Sequence, residues 1–179
     1  MIRTKTLQMI LCAFFIALTA VFSQISIPMV PVPANLALFA VFCAGGVLGS
    51  RYGALSQLGY VLLGAVGVPV FAGMNGGLFR LIGPTGGYLC GYILAAFLVG
   101  LLLEKFGESI QVRIGAMLLG EGACLLLGTV WYMFLTGSTL SAALAVCVLP
   151  FLPGDAVKIA AAALVIVPIK RLQYRLSPS

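Results

Sequence analysis

Leu149-Pro150-Phe151-Leu152-Pro153-Gly154-Asp155-Ala156-Val157-Lys158 sets an acid and a base inside sequence otherwise fit only for lipid, because Ile159 to Val167 carry no charge. An ionised group at the bilayer centre costs about 2.5–3.5 kcal/mol on the insertion scale, so both charges need a reason to be there. At a spacing of i and i+3 they share one helix face. Pro150 and Pro153 precede them, and Pro followed by Gly154 is poor helix interior. Irregular backbone at membrane depth survives only where protein or a polar cavity covers it. Two readings follow: the stretch is the wall of a binding cavity, or the charges are an internal ion pair that locks two helices together.

The rest of the composition fits that setting. Of 179 residues, 62% are hydrophobic and 8% charged, against roughly 25% charged in soluble domains. The chain therefore reads as one all-α integral membrane domain, with no room for a soluble catalytic or nucleotide-binding unit. The formal charge is +6, but the bases cluster beside apolar runs, so membrane topology explains them better than nucleic acid. Histidine is absent, which removes the usual acid–base group and the commonest metal ligand. Cys12, Cys43, Cys90, Cys124 and Cys147 lie in apolar runs without a C-x-x-C pair, and read as small core hydrophobes rather than metal ligands.

Six spans are expected, at about 7–27, 34–50, 52–68, 85–103, 114–134 and 150–167. Arg3 and Lys5 before the first span suggest a signal peptide, but the apolar run continues past Ala17-Leu18-Thr19-Ala20 with no polar region, which argues for a retained span. Ala13 and Ala17 form a small-x-x-x-small pair that lets another helix approach. Pro28, Pro31 and Pro33 predict an extended connection. Gly45, Gly46 and Gly49 suggest tight helix packing, and Gln57 is the strongly polar side chain of the third span. Residues 69–84 (PVFAGMNGGLFRLIGP) form the longest non-helical piece; they are too apolar for a solvated linker and read as a loop folded back over the protein. Ala142 to Leu149 is a lead-in to the last span. With the N-terminus inside, Arg3, Lys5, Arg51, Lys105, Arg113, Lys170, Arg171 and Arg175 face the cytoplasm, eight of the ten bases, so both termini are expected there.

Glu121, in the fifth span, lies at a depth where Lys158 could neutralise Asp155, Glu121 or both. On the outward side of Asp155 the 69–84 loop, the 28–33 loop and Trp131 can converge. An outward-facing pocket there would hold Asn75, Asp155 and Lys158 as polar groups and Tyr88 and Trp131 as apolar faces, although Trp131 could equally mark the membrane interface. The suited ligand is compact and partly apolar, with hydrogen-bond donors and a carboxylate.

Three motifs then occur together: Gly67-Val68-Pro69-Val70-Phe71-Ala72-Gly73 leading to Gly76-Gly77; Gly83-Pro84-Thr85-Gly86-Gly87-Tyr88-Leu89; and Pro150-Phe151-Leu152-Pro153-Gly154-Asp155 with Lys158. With Leu48-Gly49-Ser50-Arg51-Tyr52-Gly53-Ala54-Leu55-Ser56, the set resembles the BioY family, the biotin-specific substrate-binding (S) components of bacterial energy-coupling-factor transporters. The resemblance implies a six-helix protein of the bacterial cell membrane that captures biotin from outside and needs no cofactor. It implies partners, a transmembrane coupling subunit and two ATPases, and tipping within the membrane to deliver the load. It places Asn75, Gly76, Gly77, Tyr88, Trp131, Asp155 and Lys158 at the ligand, with Asn75 and Asp155 on the ureido ring and Lys158 on the carboxylate or ordering Asp155. It sets Ala13 and Ala17 against the coupling subunit. Pro33-Ala34-Asn35-Leu36-Ala37 departs from the family's Thr-Leu-Gln, with Asn35 in the Thr place and Ala37 in the Gln place. Whether span two touches ligand is therefore open. Glu121 reads as a packing or charge-balance residue and Arg80 as an electrostatic lure at the mouth.

Three functions compete. The binding subunit of an ATP-driven importer agrees with the absence of a Gly-x-x-x-x-Gly-Lys-Ser/Thr loop, since ATP is then handled elsewhere. A stand-alone secondary transporter would use Asp155 or Glu121 as proton carrier, but no inverted repeat is visible. A membrane enzyme using Asp155 and Lys158 as acid and base lacks a nucleophile and a metal set.

Overall fold

The computed structural model describes residues 4–30 and 32–176. The expectations for Arg3 and Pro31, and for the side chain of Arg175, lie outside the described residues. Among the described residues the regular structure is helical, apart from one hairpin of two-residue strands and an isolated bridge between Phe71 and Asn75. Its elements are α1 (Thr4–Gln24), β1 (Ser26–Ile27), β2 (Ala34–Asn35), α2 (Ala37–Ala65), α3 (Leu78–Ile82), α4 (Gly86–Phe106), α5 (Ile110–Thr136), α6 (Leu140–Cys147) and α7 (Leu152–Leu176). Among the described residues five helices, α1, α2, α4, α5 and α7, are long and apolar enough to cross a membrane.

The second and third expected spans are merged in α2, but not as one rod. Gly49 breaks the helix with φ 81° and ψ −178°, a conformation open to glycine and costly for other residues. A Cβ on Gly53 would meet the Gly45 Cα at 2.8 Å, whereas eight residues of straight helix would hold them about 12 Å apart. Residues 37–48 and 50–65 therefore fold back on each other. Glu104, at the end of α4, holds the reversal: its Oε1 accepts from Ser50 N at 2.7 Å and its Oε2 from Ser50 Oγ at 2.8 Å.

The stretch between α1 and α2 is not simply extended. Ser26 pairs with Asn35 and Ile27 with Ala34 in an antiparallel hairpin, so α1 ends three residues before, and α2 begins three residues after, the expected bounds. The physical reason is that this backbone, interrupted by prolines, recovers its hydrogen bonds across a ladder instead of along a helix. The 69–84 stretch is folded back over the protein, and it contains the short helix α3. Its carbonyls at Val70 and Phe71 accept from Gln24 Nε2 at 3.1 Å each. The Phe71 ring lies against Gly64, where any Cβ would overlap it. The lead-in 142–149 is mostly helix α6.

Helices α2 and α4 form the centre of the bundle, with α1 on α2, α5 on α4, and α7 spanning α2 and α5. The buried core joins Val41, Phe42, Ala95, Ala96, Val99, Met117, Ala162 and Ile166. On α1 the buried face is Phe15, Thr19 and Ser23, one residue per helical turn. Ala13 and Ala17 lie on the exposed side. The hairpin turn of α2 meets Glu104, and Lys170 pairs with Glu108, so residues 50, 104–108 and 170 share one end of the bundle.

Candidate functional site

Val148 to Phe151 form turns, and α7 begins at Leu152. Pro153 thus sits in the first turn of a helix, where its missing N–H has no partner to lose. This corrects the expectation of bent backbone at Pro153-Gly154: the irregularity ends before the charges. Asp155 also lies in that first turn, where the unsatisfied amide end of the helix favours an anion. Lys158 Nζ donates to Asp155 Oδ1 at 2.7 Å, with side-chain exposures of 11% and 5%. The pair is internal to α7, so it does not itself tie two helices together.

Both side chains face a cavity enclosed by α2, α4, α5, α7 and the 69–84 loop. Its empty space, ≈ 710 Å³, includes the open mouth. Three tyrosines build its apolar faces. Tyr88 OH donates to Cys147 O at 2.7 Å, Tyr60 OH to Val70 O at 3.2 Å and Tyr92 OH to Asn35 Oδ1 at 3.3 Å. Each hydroxyl is thereby satisfied by the protein, leaving the rings to the cavity. Tyr88 is seated by Gly128, whose absent Cβ makes room for the ring. Among the described residues, no three His, Cys, Asp or Glu side chains converge to hold a metal.

Of the residues singled out from sequence, Tyr88, Asp155 and Lys158 come together on the wall. Asn75, Gly76, Gly77 and Trp131 stand behind it. The Asn75 amide donates to Ala72 O at 2.8 Å and to Gly73 O at 3.1 Å, and its Oδ1 accepts from Arg80 at 2.6 Å. Gly77 N donates to Gly64 O at 2.6 Å, and Gly77 turns the loop with φ 101°. Trp131 Nε1 donates to Gly83 O at 3.0 Å, which fastens the loop to α5. Asn75, Gly77 and Trp131 thus hold the loop in place, and none of the four lines the cavity.

Comparison with known proteins bears on this arrangement. The BioY family model matches residues 1–175. The chain belongs to the BioY family. It is 43% identical over 166 residues to the biotin transporter BioY of Thermotoga maritima, covering 93% of this chain and 97% of that one. It is 33% identical over 181 residues to the biotin transporter BioY of Lactococcus lactis, covering 96% and 91%. Its fold superposes with a TM-score of 0.83 on the crystal structure of the S-component for biotin from an ECF-type ABC transporter, at 30% identity over 97% of this chain and 94% of that one. This is a family of multi-pass membrane transporters, not of enzymes.

In this BioY chain the wall also contains residues that motif reading left aside. Asn35, at the departure from the family pattern, lines the cavity, and its Oδ1 accepts from Ala37 N at 3.0 Å where α2 begins. Arg80 lines the cavity too. Tyr92, one turn after Tyr88, carried its signal in the i, i+4 spacing of two aromatics. Glu121 lines the cavity as well.

Proposed function

We propose that this chain is the biotin-binding membrane subunit of an ATP-driven importer in the bacterial cell membrane. The observation that carries the reading is the Asp155–Lys158 pair, 5% and 11% exposed, turned into a tyrosine-lined cavity in a chain whose relatives are named biotin transporters. Counting the two arms of α2 separately, the chain makes six crossings, with Lys5, Arg51, Lys105, Arg113, Lys170 and Arg171 on the cytoplasmic side and the cavity open to the outside. Asp155, ordered by Lys158, accepts from the ureido ring, and Tyr88 packs on the bicycle. Arg80, held by Asn75, is the cation left for the carboxylate. The exposed Ala13 and Ala17 offer a flat strip for a transmembrane coupling subunit, and two ATPases supply the energy that this sequence has no phosphate loop to capture.

Calorimetric titration of the purified protein with biotin tests the reading. Tight binding is expected, and Asp155→Asn should fold, insert and lose at least about tenfold in affinity, the loss of one charge-assisted hydrogen bond. Unchanged affinity in Asp155→Asn would overturn the assignment of the pair, and no binding by the wild type would overturn the function.

A further inference from the structure

Glu121 stands near the middle of α5, 5% exposed, and lines the cavity. Neither of its oxygens accepts from a side-chain or backbone donor among the described residues, and the group within its hydrogen-bonding reach is another acid, Asp155. The donors around it are committed elsewhere: Tyr60, Tyr88 and Tyr92 spend their only hydroxyl proton on Val70 O, Cys147 O and Asn35 Oδ1. The charged groups facing Glu121 are Asp155 and Lys158, and Lys158 is already bonded to Asp155. This wall therefore holds two carboxyl groups and one ammonium, with acceptor capacity in excess. A buried acceptor pair without donors is costly unless something else supplies them.

Position adds to the case. Trp131, which ties α5 to the loop at Gly83, is ten residues beyond Glu121, or about 15 Å along the helix axis. Glu121 is thus at the deep end of the cavity, opposite the end where Arg80 sits on the loop.

We propose that Glu121 is a ligand-binding residue of this site, its carboxylate accepting hydrogen bonds from N–H groups at the buried end of the transported molecule. This rests on the biotin reading above, in which those donors are the two ureido N–H groups. Asp155 then shares the ring with Glu121, and Lys158 keeps donors free for the ring carbonyl. The site selects for a neutral head that carries N–H groups and discriminates against heads that present only acceptors, because the acids would be left buried and unpaired.

The experiment is a binding cycle: wild type, Glu121→Gln and Glu121→Asp, each titrated with biotin and with biotin N-methylated on the ureido ring, and each checked for thermal unfolding without ligand. Glu121→Gln is expected to weaken biotin by about ten- to a hundredfold, with Glu121→Asp in between. N-methylation should weaken binding to the wild type by a similar factor and cost much less in Glu121→Gln. Biotin bound equally by wild type and Glu121→Gln would overturn the proposal, because Gln mimics a carboxyl that keeps its own proton and needs no donor. Equal losses for both ligands in Glu121→Gln would overturn it too, marking a packing role. Should Glu121→Gln not fold, the wild type decides alone: N-methyl biotin bound as tightly as biotin refutes the contact. Failure of the wild type to bind biotin instead removes the function on which the proposal depends.

Discussion

The Asp155–Lys158 pair should respond asymmetrically to removal of its two members, and the asymmetry follows from Glu121. Lys158→Ala leaves Asp155 and Glu121 facing each other at 3% and 5% exposure with no ammonium between them. Breaking a buried pair from one side costs about 3–5 kcal/mol, because the remaining charge stays uncompensated. Asp155→Asn leaves Lys158 with an amide oxygen in the old place and with Glu121 as a counter-charge, so the wall becomes balanced; about 1 kcal/mol or less is expected, the size of a single exchanged hydrogen bond. For a domain of this length each kcal/mol moves the midpoint by roughly 2–4 °C. Lys158→Ala should therefore melt about 6–20 °C below the wild type without ligand, and Asp155→Asn no more than about 4 °C below. The double variant Asp155→Asn/Lys158→Ala should melt above Lys158→Ala alone, since one of the two orphaned acids is gone. The assay is Trp131 fluorescence in detergent at matched scan rates, because membrane-protein unfolding is commonly irreversible and scan-dependent. If Asp155→Asn melts as low as Lys158→Ala, or the double variant falls by the sum of the two, then Glu121 does not share this wall electrostatically.

Two further outcomes follow from the bundle. Glu104→Ala removes both bonds to Ser50 at the reversal of α2; with the exposed carboxylate acting as a helix cap, about 1–2 kcal/mol of stability should go, read as a lowered midpoint with biotin affinity within about threefold of the wild type. Gly128→Ala sets a methyl group into the Tyr88 ring; overpacking of this kind costs about 1–3 kcal/mol, and because the displaced ring is part of the cavity wall, biotin titration should show a loss larger than that of Glu104→Ala. Binding retained in Gly128→Ala would mean that Tyr88 is not a ligand face.

What could be read from the residues differed between fold and site for a physical reason. Membrane helices announce themselves through composition, so the bounds of α1, α4 and α5 lie within four residues of those expected, while α7 runs nine residues past its expected end. The reversal within α2 left only Arg51 and nearby glycines as its sequence trace, and its lock, Glu104, is 54 residues from Ser50. The Ser26–Ile27 strand was hidden because two apolar residues of a short hairpin look like the end of a span. At the site, charges in an apolar run stood out, as Asp155 and Lys158 did. Asn75 stands out for its polarity and Trp131 as an aromatic face, but the fold spends the amide and the indole N–H on the loop itself, and one-dimensional order does not say which way an amide or an indole points. Asn35 and Tyr92 were harder still: each is ordinary in its own segment and becomes part of a wall only when α2 and α4 meet.

The cost assigned to the acid and base also changes with the structure. Placed at the centre of a span, each would cost about 2.5–3.5 kcal/mol on the insertion scale. Asp155 instead opens α7, and Lys170 lies fifteen residues further along the same helix, about 22 Å away. If Lys170 and Arg171 mark one boundary of a hydrocarbon layer of about 30 Å, Asp155 is displaced from the centre toward the opposite boundary, next to a cavity mouth. Its charge is met by the amide end of α7 and by Lys158, both supplied by the same helix. An acid and base held this way do not depend on a second helix for their partner, which leaves the faces they turn toward α5 free for a ligand. The residue across from them is Glu121, and the arrangement makes chemical sense when donors arrive from outside the protein. The same geometry argues that ligand and helix packing are separable here: α7 can keep its own charges in order while the cavity is empty, and the deep acceptors become fully paired when it is filled.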